Sequence, residues 1–212
     1  MSSVEIPAPG GFTLEGEVVR ADATAWAVVC HPHPAFGGHM DVPLVLQLGD
    51  ALTAAGCSTV RFNFRGVRGS GGTPTGGHLE EEDVRTVAAW VRAQGAARVA
   101  LVGYSFGALM ACKAIAGGER PSAYAAVGFP TTIVGDDEAR IAQVKHALAT
   151  GTPSLFASGD RDQFCELDRL RAWLAGVPTA RLDVAPGLSH FPSGPEAEQL
   201  CASVARFVTA GD

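Results

Sequence analysis

The sequence predicts an α/β fold: a mostly parallel central sheet of about seven strands with helices on both faces. Two observations predict this fold. Short apolar and β-branched runs alternate with amphipathic helical patterns along nearly the whole chain. Hydrophobic residues make up 47% of the 212 residues and charged residues 18%, so the chain can fill a core on both faces of a sheet. No repeat, linker or low-complexity tract interrupts the pattern, and we expect a single domain over residues 1–212.

The predicted strands are short apolar runs that end at loops. Trp26–Cys30 runs into the segment HPHP, and Thr59–Phe64 runs into a glycine-rich segment. Phe12–Val19 alternates between apolar and polar residues, which predicts a strand at the edge of the sheet. Further strands are expected at Val99–Val102, Tyr124–Val127, Ser154–Ala157 and Arg181–Val184.

Helical patterns lie between these strands. Leu79–Gln94 is the clearest, because its apolar residues share one face and its acidic residues precede its basic one. Further helices are expected from an Asp41 cap through Leu52, over Ala108–Ala116, Ala139–Ala149 and Gln163–Leu174, and on an apolar face of Ala197, Leu200, Val204 and Phe207. Ligands of such sheets bind where the strands end, so the loops after the strands are the candidate sites.

Composition excludes several classes of function. The net charge is -6 and no basic run occurs, so we expect no nucleic-acid partner. The first ten residues lack the features of a secretory signal, and the most apolar window contains Lys113, which predicts a cytoplasmic protein without a membrane partner. Five separated cysteines without a CxxC pair predict reduced thiols. We expect no cofactor, and either a monomer or a homodimer.

The segment GYSFG places a serine between a predicted strand and a predicted helix. A nucleophilic Ser105 on such a sharp turn needs small residues two positions away on either side, and Gly103 and Gly107 meet this need. The alternative is that Ser105 only caps the helix that follows.

An acid and a base follow later strands. Asp160 and Asp162 lie in the loop after one predicted strand, and His190 follows the next strand. A serine hydroxyl needs a base, and the base needs an orienting carboxylate, so Ser105, His190 and Asp162 form a candidate catalytic triad. Two alternatives stay open. Asp162 only caps a helix, and either Asp160 or neither aspartate is the acid; or His190 is a surface residue.

Acyl transfer also needs N–H donors for an oxyanion. The expected donors are Phe106, directly after the nucleophile, and one residue of the loop after an early strand. Proline has no N–H, so His33 or Ala35 supplies the second donor, and we favour His33. In the alternatives, the loop histidines only hold the loop by hydrogen bonds or bind a metal ion. The metal set would be His31, His33, His39 and Asp41. No further acidic or histidine cluster completes this set, so we expect no metal.

Aromatic residues near the same loops form a candidate substrate pocket. They are Phe36, Tyr104, Phe129 and Phe191, with Phe164 close by. Core packing is the equally good alternative for each of them. The glycine-rich segment 66–77 lacks the lysine of a phosphate-binding loop and is expected to lie beside the active site.

The chain contains three motifs: CHPHPxxGGxMD at Cys30–Asp41, RFNFRGVxxSxG beginning at Arg61, and GYSFG at Gly103–Gly107. They resemble the motifs of a family of small bacterial hydrolases within the α/β-hydrolase superfamily, with a looser similarity to dienelactone hydrolases, which use a cysteine nucleophile. The resemblance implies that Asp162 is the triad acid, and Arg68 departs from the glycine of many relatives. Only about 25 residues separate Val127 from Ser154, which leaves no room for a large cap.

These observations together predict a serine hydrolase of the carboxylesterase type. It would cleave carboxylic esters or thioesters of short acyl chains through an acyl-enzyme intermediate, and its partner would be a small-molecule ester. The alternatives are an acyltransferase or peptidase with the same triad, and a non-catalytic binding protein on the same fold.

Overall fold

The computed structural model describes residues 1–21 and 24–210. In this part of the chain, eight strands form one sheet in the order β1-β2-β4-β3-β5-β6-β7-β8. The strands are β1 (Ser2–Ala8), β2 (Phe12–Val19), β3 (Ala25–Cys30), β4 (Ser58–Phe62), β5 (Arg98–Tyr104), β6 (Tyr124–Val127), β7 (Ser154–Arg161) and β8 (Ala180–Ser189). The pairs β1–β2 and β2–β4 are antiparallel, and every pair from β4 to β8 is parallel. The parallel strands therefore all end at one edge.

Helices cover both faces of the sheet, as predicted. They are α1 (Pro43–Ala54), α2 (Glu80–Ala93), α3 (Phe106–Ala116), α4 (Thr131–Val134), α5 (Glu138–Leu148), α6 (Leu167–Leu174) and α7 (Gly194–Thr209), with a 3₁₀ turn at Pro34–Phe36. Helices α1 and α7 pack on one face against alternate residues of the central strands, such as Val29 and Val102. Helices α2, α3, α5 and α6 pack on the other face, against residues such as Val28 and Leu101. Only the short helices α4 and α5 lie between β6 and β7, so the sheet edge carries no large cap.

Two local predictions are wrong. Phe12–Val19 is not the edge strand, because β1 pairs with it along its whole length and buries Ile6. Asp41 does not cap α1: the residue before the helix is Val42, and Asp41 instead accepts a hydrogen bond from Arg61 at 3.1 Å. The buried Arg61 guanidinium also pairs with Glu17 at 2.6 Å. Because the Asp41 carboxylate binds this guanidinium, it does not cap the helix.

All five cysteines are free and buried, as expected for thiols that act as small hydrophobes. Burial raises the pKa of Cys112 to about 12, so this thiol stays protonated. Among the helices of residues 1–21 and 24–210, none has the length and apolar character that a membrane span requires.

Candidate active site

Ser105 lies on a tight turn between β5 and α3. Its backbone angles, φ 55° and ψ -114°, lie in a region that side-chain-bearing residues rarely adopt. The flanking glycines are required by close backbone packing. A Cβ atom at Gly103 would lie 2.4 Å from the Ala108 nitrogen, and one at Gly107 would lie 2.3 Å from the Cys30 carbonyl oxygen. The GxSxG pattern is therefore the sequence that this turn needs.

Ser105, His190 and Asp162 form one hydrogen-bonded chain. His190 Nδ1 lies 2.8 and 2.9 Å from the two Asp162 carboxylate oxygens, and His190 Nε2 lies 2.8 Å from Ser105 Oγ. A carboxylate only accepts, so Nδ1 carries the proton and Nε2 accepts the hydrogen bond from the Ser105 hydroxyl. His190 and Asp162 are buried, whereas Ser105 is partly open to solvent. This arrangement allows proton removal from an accessible hydroxyl.

Strand register brings Asp162 and His190 together. Arg161 at the end of β7 pairs with Ser189 at the end of β8, so the next residue of each strand enters the site side by side. Both strands run past their predicted ends through an irregularity at Gly159, where a Cβ atom would lie 1.9 Å from the Leu188 carbonyl oxygen. This close approach explains why only glycine fits there.

Asp160 and Asp162 have different partners. Asp160 accepts a hydrogen bond from the Gly187 N–H at 2.7 Å and is exposed. Asp162 accepts hydrogen bonds from Ser158 Oγ at 3.2 Å and from the Phe164 N–H at 2.9 Å, besides its contact with His190. Asp162 does not cap a helix from residue 163, because α6 begins only at Leu167, after Glu166.

Sequence reasoning missed Gly128 as a part of this site. Gly128 has φ +56°, and a Cβ atom there would lie 3.1 Å from an Asp162 carboxylate oxygen and 3.2 Å from the His190 ring. The acid and base therefore pack directly against its backbone. A glycine directly after a buried parallel strand was the signal that could have pointed to it.

The HPHP loop lies beside the serine turn. Phe106 begins α3, so its N–H has no acceptor within the helix. The Ala35 N–H donates to His33 Nδ1 at 3.1 Å and is thus already engaged, while the His33 carbonyl oxygen accepts from the N–H groups of Phe36 and Gly38. These contacts fix the conformation of the loop, and the His33 ring packs against the Phe106 ring of α3 at 4.7 Å.

The loop histidines have structural partners. His31 is buried: its Nδ1 donates to the Pro32 carbonyl at 2.7 Å, and its Nε2 accepts from the Phe64 N–H at 3.1 Å. Burial lowers the pKa of His31 to about 4. His39 contacts the Asp41 N–H and the Arg68 guanidinium. Within the described ranges 1–21 and 24–210, no group of three or more His, Cys, Asp or Glu side chains is arranged to hold a metal ion.

An apolar cavity of about 740 Å³, counting the part open to solvent, opens over Ser105. It is lined by Pro32, His33, Phe36, Tyr104, Ser105, Phe106, Leu109, Pro130, Ile133, Phe164, His190 and Phe191. Phe36, Ile133 and Phe191 stand at its rim with 87%, 51% and 66% of their surface exposed. The sequence did not predict two of these lining residues: Leu109, which lies one helical turn beyond Ser105, and Ile133, an apolar residue in an exposed segment.

Phe129 is the one predicted pocket residue that the cavity does not include. Only 1% of its surface is exposed, and its ring packs against the rings of Phe156 and Trp173 at 5.4 and 6.5 Å. Its backbone follows β6, but its side chain points into the core between the sheet and α6. The position of Phe129 after a strand therefore predicted the loop in which it lies, but it did not predict the direction of its side chain.

The fold is that of the alpha/beta hydrolases. The sequence profile of the alpha/beta hydrolase domain family matches residues 25–192. The chain belongs to this family.

Similar structures come from bacterial proteins. An alpha-beta serine hydrolase homologue from Coxiella burnetii matches 99% of this chain and 96% of its own with a TM-score of 0.81 and 26% identity. An α/β serine hydrolase without a lid from Xanthomonas campestris matches 99% of this chain and 92% of its own with a TM-score of 0.76 and 26% identity. The family and these neighbours support hydrolase activity.

A curated relative is an uncharacterized protein of Rickettsia prowazekii. It is 32% identical over 106 residues, which are 48% of this chain and 44% of that protein. The match therefore spans less than half the length of this relative.

Proposed function

We propose that the protein is a serine hydrolase that cleaves carboxylic esters or thioesters of short acyl chains. The observation that carries this proposal is the continuous hydrogen-bonded chain from Ser105 Oγ through His190 to Asp162 at the floor of an apolar cavity. The serine hydrolase neighbours from Coxiella and Xanthomonas support the same reaction class.

The reaction starts with proton transfer to His190. Ser105 Oγ attacks the carbonyl carbon of the ester while its proton moves to His190 Nε2. Asp162 keeps the ring oriented through Nδ1 and stabilises its charged form. His190 then returns the proton to the leaving oxygen, and an acyl group stays on Ser105. In the second half of the reaction a water molecule gives a proton to His190 and attacks the acyl carbon. The bond from that carbon to Ser105 Oγ then breaks, the acid leaves, and His190 returns the proton to Ser105 Oγ.

The oxyanion is stabilised by main-chain N–H groups. The N–H of Phe106 has no acceptor within its helix, and the Ala35 N–H is engaged by His33 Nδ1, which favours the N–H of His33 as the second donor. Both residues line the cavity over Ser105.

Substrate size follows from the lack of a cap. The cavity has apolar walls but an open mouth, so a short acyl group is enclosed while a larger group extends into solvent. A small-molecule ester is therefore the proposed substrate, handled without a cofactor.

The test is labelling of wild type and Ser105→Ala with a fluorophosphonate, followed by mass spectrometry of the modified peptide. We expect a single adduct on Ser105 in the wild type and no adduct in the variant. 4-Nitrophenyl esters of increasing chain length then measure acyl preference. A folded wild type that neither reacts with the probe nor hydrolyses these esters would favour a binding protein on this fold.

A further inference from the structure

The His33 imidazole lies where three cavities meet. It lines the apolar cavity over Ser105, a second cavity that continues past Phe106 and Leu109, and a third beside Arg68. Its ring packs against the rings of Phe36 and Phe106, with centroids 5.4 and 4.7 Å apart. These contacts fix the ring in one position between the cavities.

The hydrogen bond from Ala35 decides which ring nitrogen of His33 carries a proton. The Ala35 N–H donates to Nδ1 at 3.1 Å, so Nδ1 is unprotonated and the neutral ring carries its proton on Nε2. Burial lowers the pKa of His33, which favours this neutral form. The ring is therefore an oriented N–H donor.

His33 Nε2 has no protein acceptor within hydrogen-bond range in the part of the chain that the structure describes. The first two cavities share an otherwise apolar wall around His33, formed by Phe106, Leu109 and Ile133. A polar donor on such a wall penalises a ligand that displaces its water without supplying an acceptor. The donor therefore selects among ligands.

Reaction geometry places the acyl group next to this donor. The leaving oxygen has to face His190 Nε2, which lines the first cavity, and the oxyanion has to face the N–H groups of Phe106 and His33. The acyl chain takes the remaining direction, past the His33 ring and towards the second cavity. The polar residues that line this second cavity are His78, Lys113, Asp137, Arg140 and Gln143.

We propose, on the basis of the proposed esterase function, that the His33 Nε2–H binds an oxygen atom within the acyl group of the substrate. His33 is then a specificity-determining residue through its side chain, besides the role proposed for its main-chain N–H. The preferred substrates are esters of acids that carry an alkoxy, hydroxy or oxo oxygen near the carbonyl. The polar second cavity accommodates the continuation of such an acyl chain.

Two isosteric esters test this specificity. 4-Nitrophenyl methoxyacetate and 4-nitrophenyl butanoate differ by one oxygen atom in place of a methylene group. The ratio of their kcat/KM values is measured for wild type, His33→Asn and His33→Gln. The Asn amide keeps an acceptor near the position of Nδ1 for the Ala35 N–H but lacks a donor at the position of Nε2. The Gln amide places an N–H near the position of Nε2.

We expect the methoxyacetate-to-butanoate ratio to fall about three- to tenfold in His33→Asn and to stay near the wild-type value in His33→Gln. The higher intrinsic reactivity of the methoxyacetate cancels, because the ratio is compared between variants. A ratio that is constant in all three proteins, or that falls equally in both variants, overturns the role of His33 and leaves the esterase proposal intact. A wild type that hydrolyses neither ester, or a Ser105→Ala variant that hydrolyses both as well as wild type, overturns both proposals.

Discussion

Tyr104, directly before the candidate nucleophile, donates a hydrogen bond from its hydroxyl to the main-chain carbonyl oxygen of His190 at 2.8 Å. Burial raises the pKa of Tyr104, so the hydroxyl stays a donor at neutral pH. The nucleophile turn and the loop of the candidate base are therefore joined by a contact between residues far apart in the sequence. Tyr104 lines the cavity over Ser105, and its hydroxyl acts on the position of His190.

Tyr104→Phe should lower kcat/KM about three- to thirtyfold, because the His190 loop loses its anchor and the base is held less accurately. The unpaired carbonyl should lower the free energy of unfolding by about 1–3 kcal/mol. Tyr124→Phe is the matched control, since the Tyr124 hydroxyl donates to the buried Ala108 carbonyl at 2.7 Å. Kinetics on a 4-nitrophenyl ester and urea unfolding measure both effects. Equal loss of rate in the two variants would show that the Tyr104 effect is one of general stability.

Asp162→Asn and Asp160→Asn should separate the two neighbouring carboxylates. Asn at 162 offers an N–H where His190 Nδ1 needs an acceptor, so we expect kcat to fall on the order of 10³- to 10⁴-fold. Asn at 160 keeps an oxygen that accepts from the Gly187 N–H, so activity should stay near that of wild type. Steady-state kinetics of the purified variants measures this difference. The reverse result would assign the acid to Asp160.

The backbone of Ser105 should be strained enough to measure. Ser105→Gly and Ser105→Ala both remove the hydroxyl, but only glycine adopts φ 55° and ψ -114° without strain. We expect both variants to be inactive and the glycine variant to have a free energy of unfolding about 1 kcal/mol higher than the alanine variant. Urea denaturation at neutral pH compares them. Identical unfolding midpoints would argue against strain at this turn.

The parts of the site that could be predicted from the sequence are those whose sequence signal lies within a few neighbouring residues. The GYSFG turn is local, because glycines within two residues of Ser105 make room for neighbouring backbone, and it was found from the sequence. The full length of β7 and β8 was not predicted, because their last segments, SGDR and APGLS, have low strand propensity. These segments pair only through the irregularity at Gly159. The Tyr104–His190 bond and the core position of Phe129 depend on tertiary packing, which has no local pattern.

Phe191→Ala should weaken substrate binding, whereas Phe129→Ala should lower the stability of the fold. Phe191 stands at the cavity rim, so its loss should raise KM for 4-nitrophenyl esters and leave stability near that of wild type. Phe129 is buried against Phe156 and Trp173, so its loss should cost about 3–5 kcal/mol of unfolding free energy. Substrate-chain-length kinetics and urea unfolding distinguish them. A raised KM in a stable Phe129→Ala variant would return that residue to the pocket.

His31 should make the protein less stable in mild acid. Its folded-state pKa of about 4 lies below the ordinary histidine value of 6.5, because burial disfavours the charged ring. Below about pH 6.5 the unfolded chain binds a proton that the folded protein does not, so the free energy of unfolding falls as pH decreases towards 4. The stabilising contribution is complete above pH 6.5, and its loss amounts to on the order of 3 kcal/mol once the folded ring is also protonated.

His31→Gln should remove this part of the pH dependence. The Gln side chain does not titrate, and its carbonyl oxygen accepts from the Phe64 N–H in place of Nε2, while the donor to the Pro32 carbonyl is lost. We therefore expect a variant that is less stable than wild type at pH 7 but whose urea midpoint falls less between pH 6.5 and 4.5. His146→Gln, which changes an exposed side chain on α5, serves as the control and should keep the wild-type slope. Parallel slopes for wild type and His31→Gln would mean that other groups cause the loss of stability in acid.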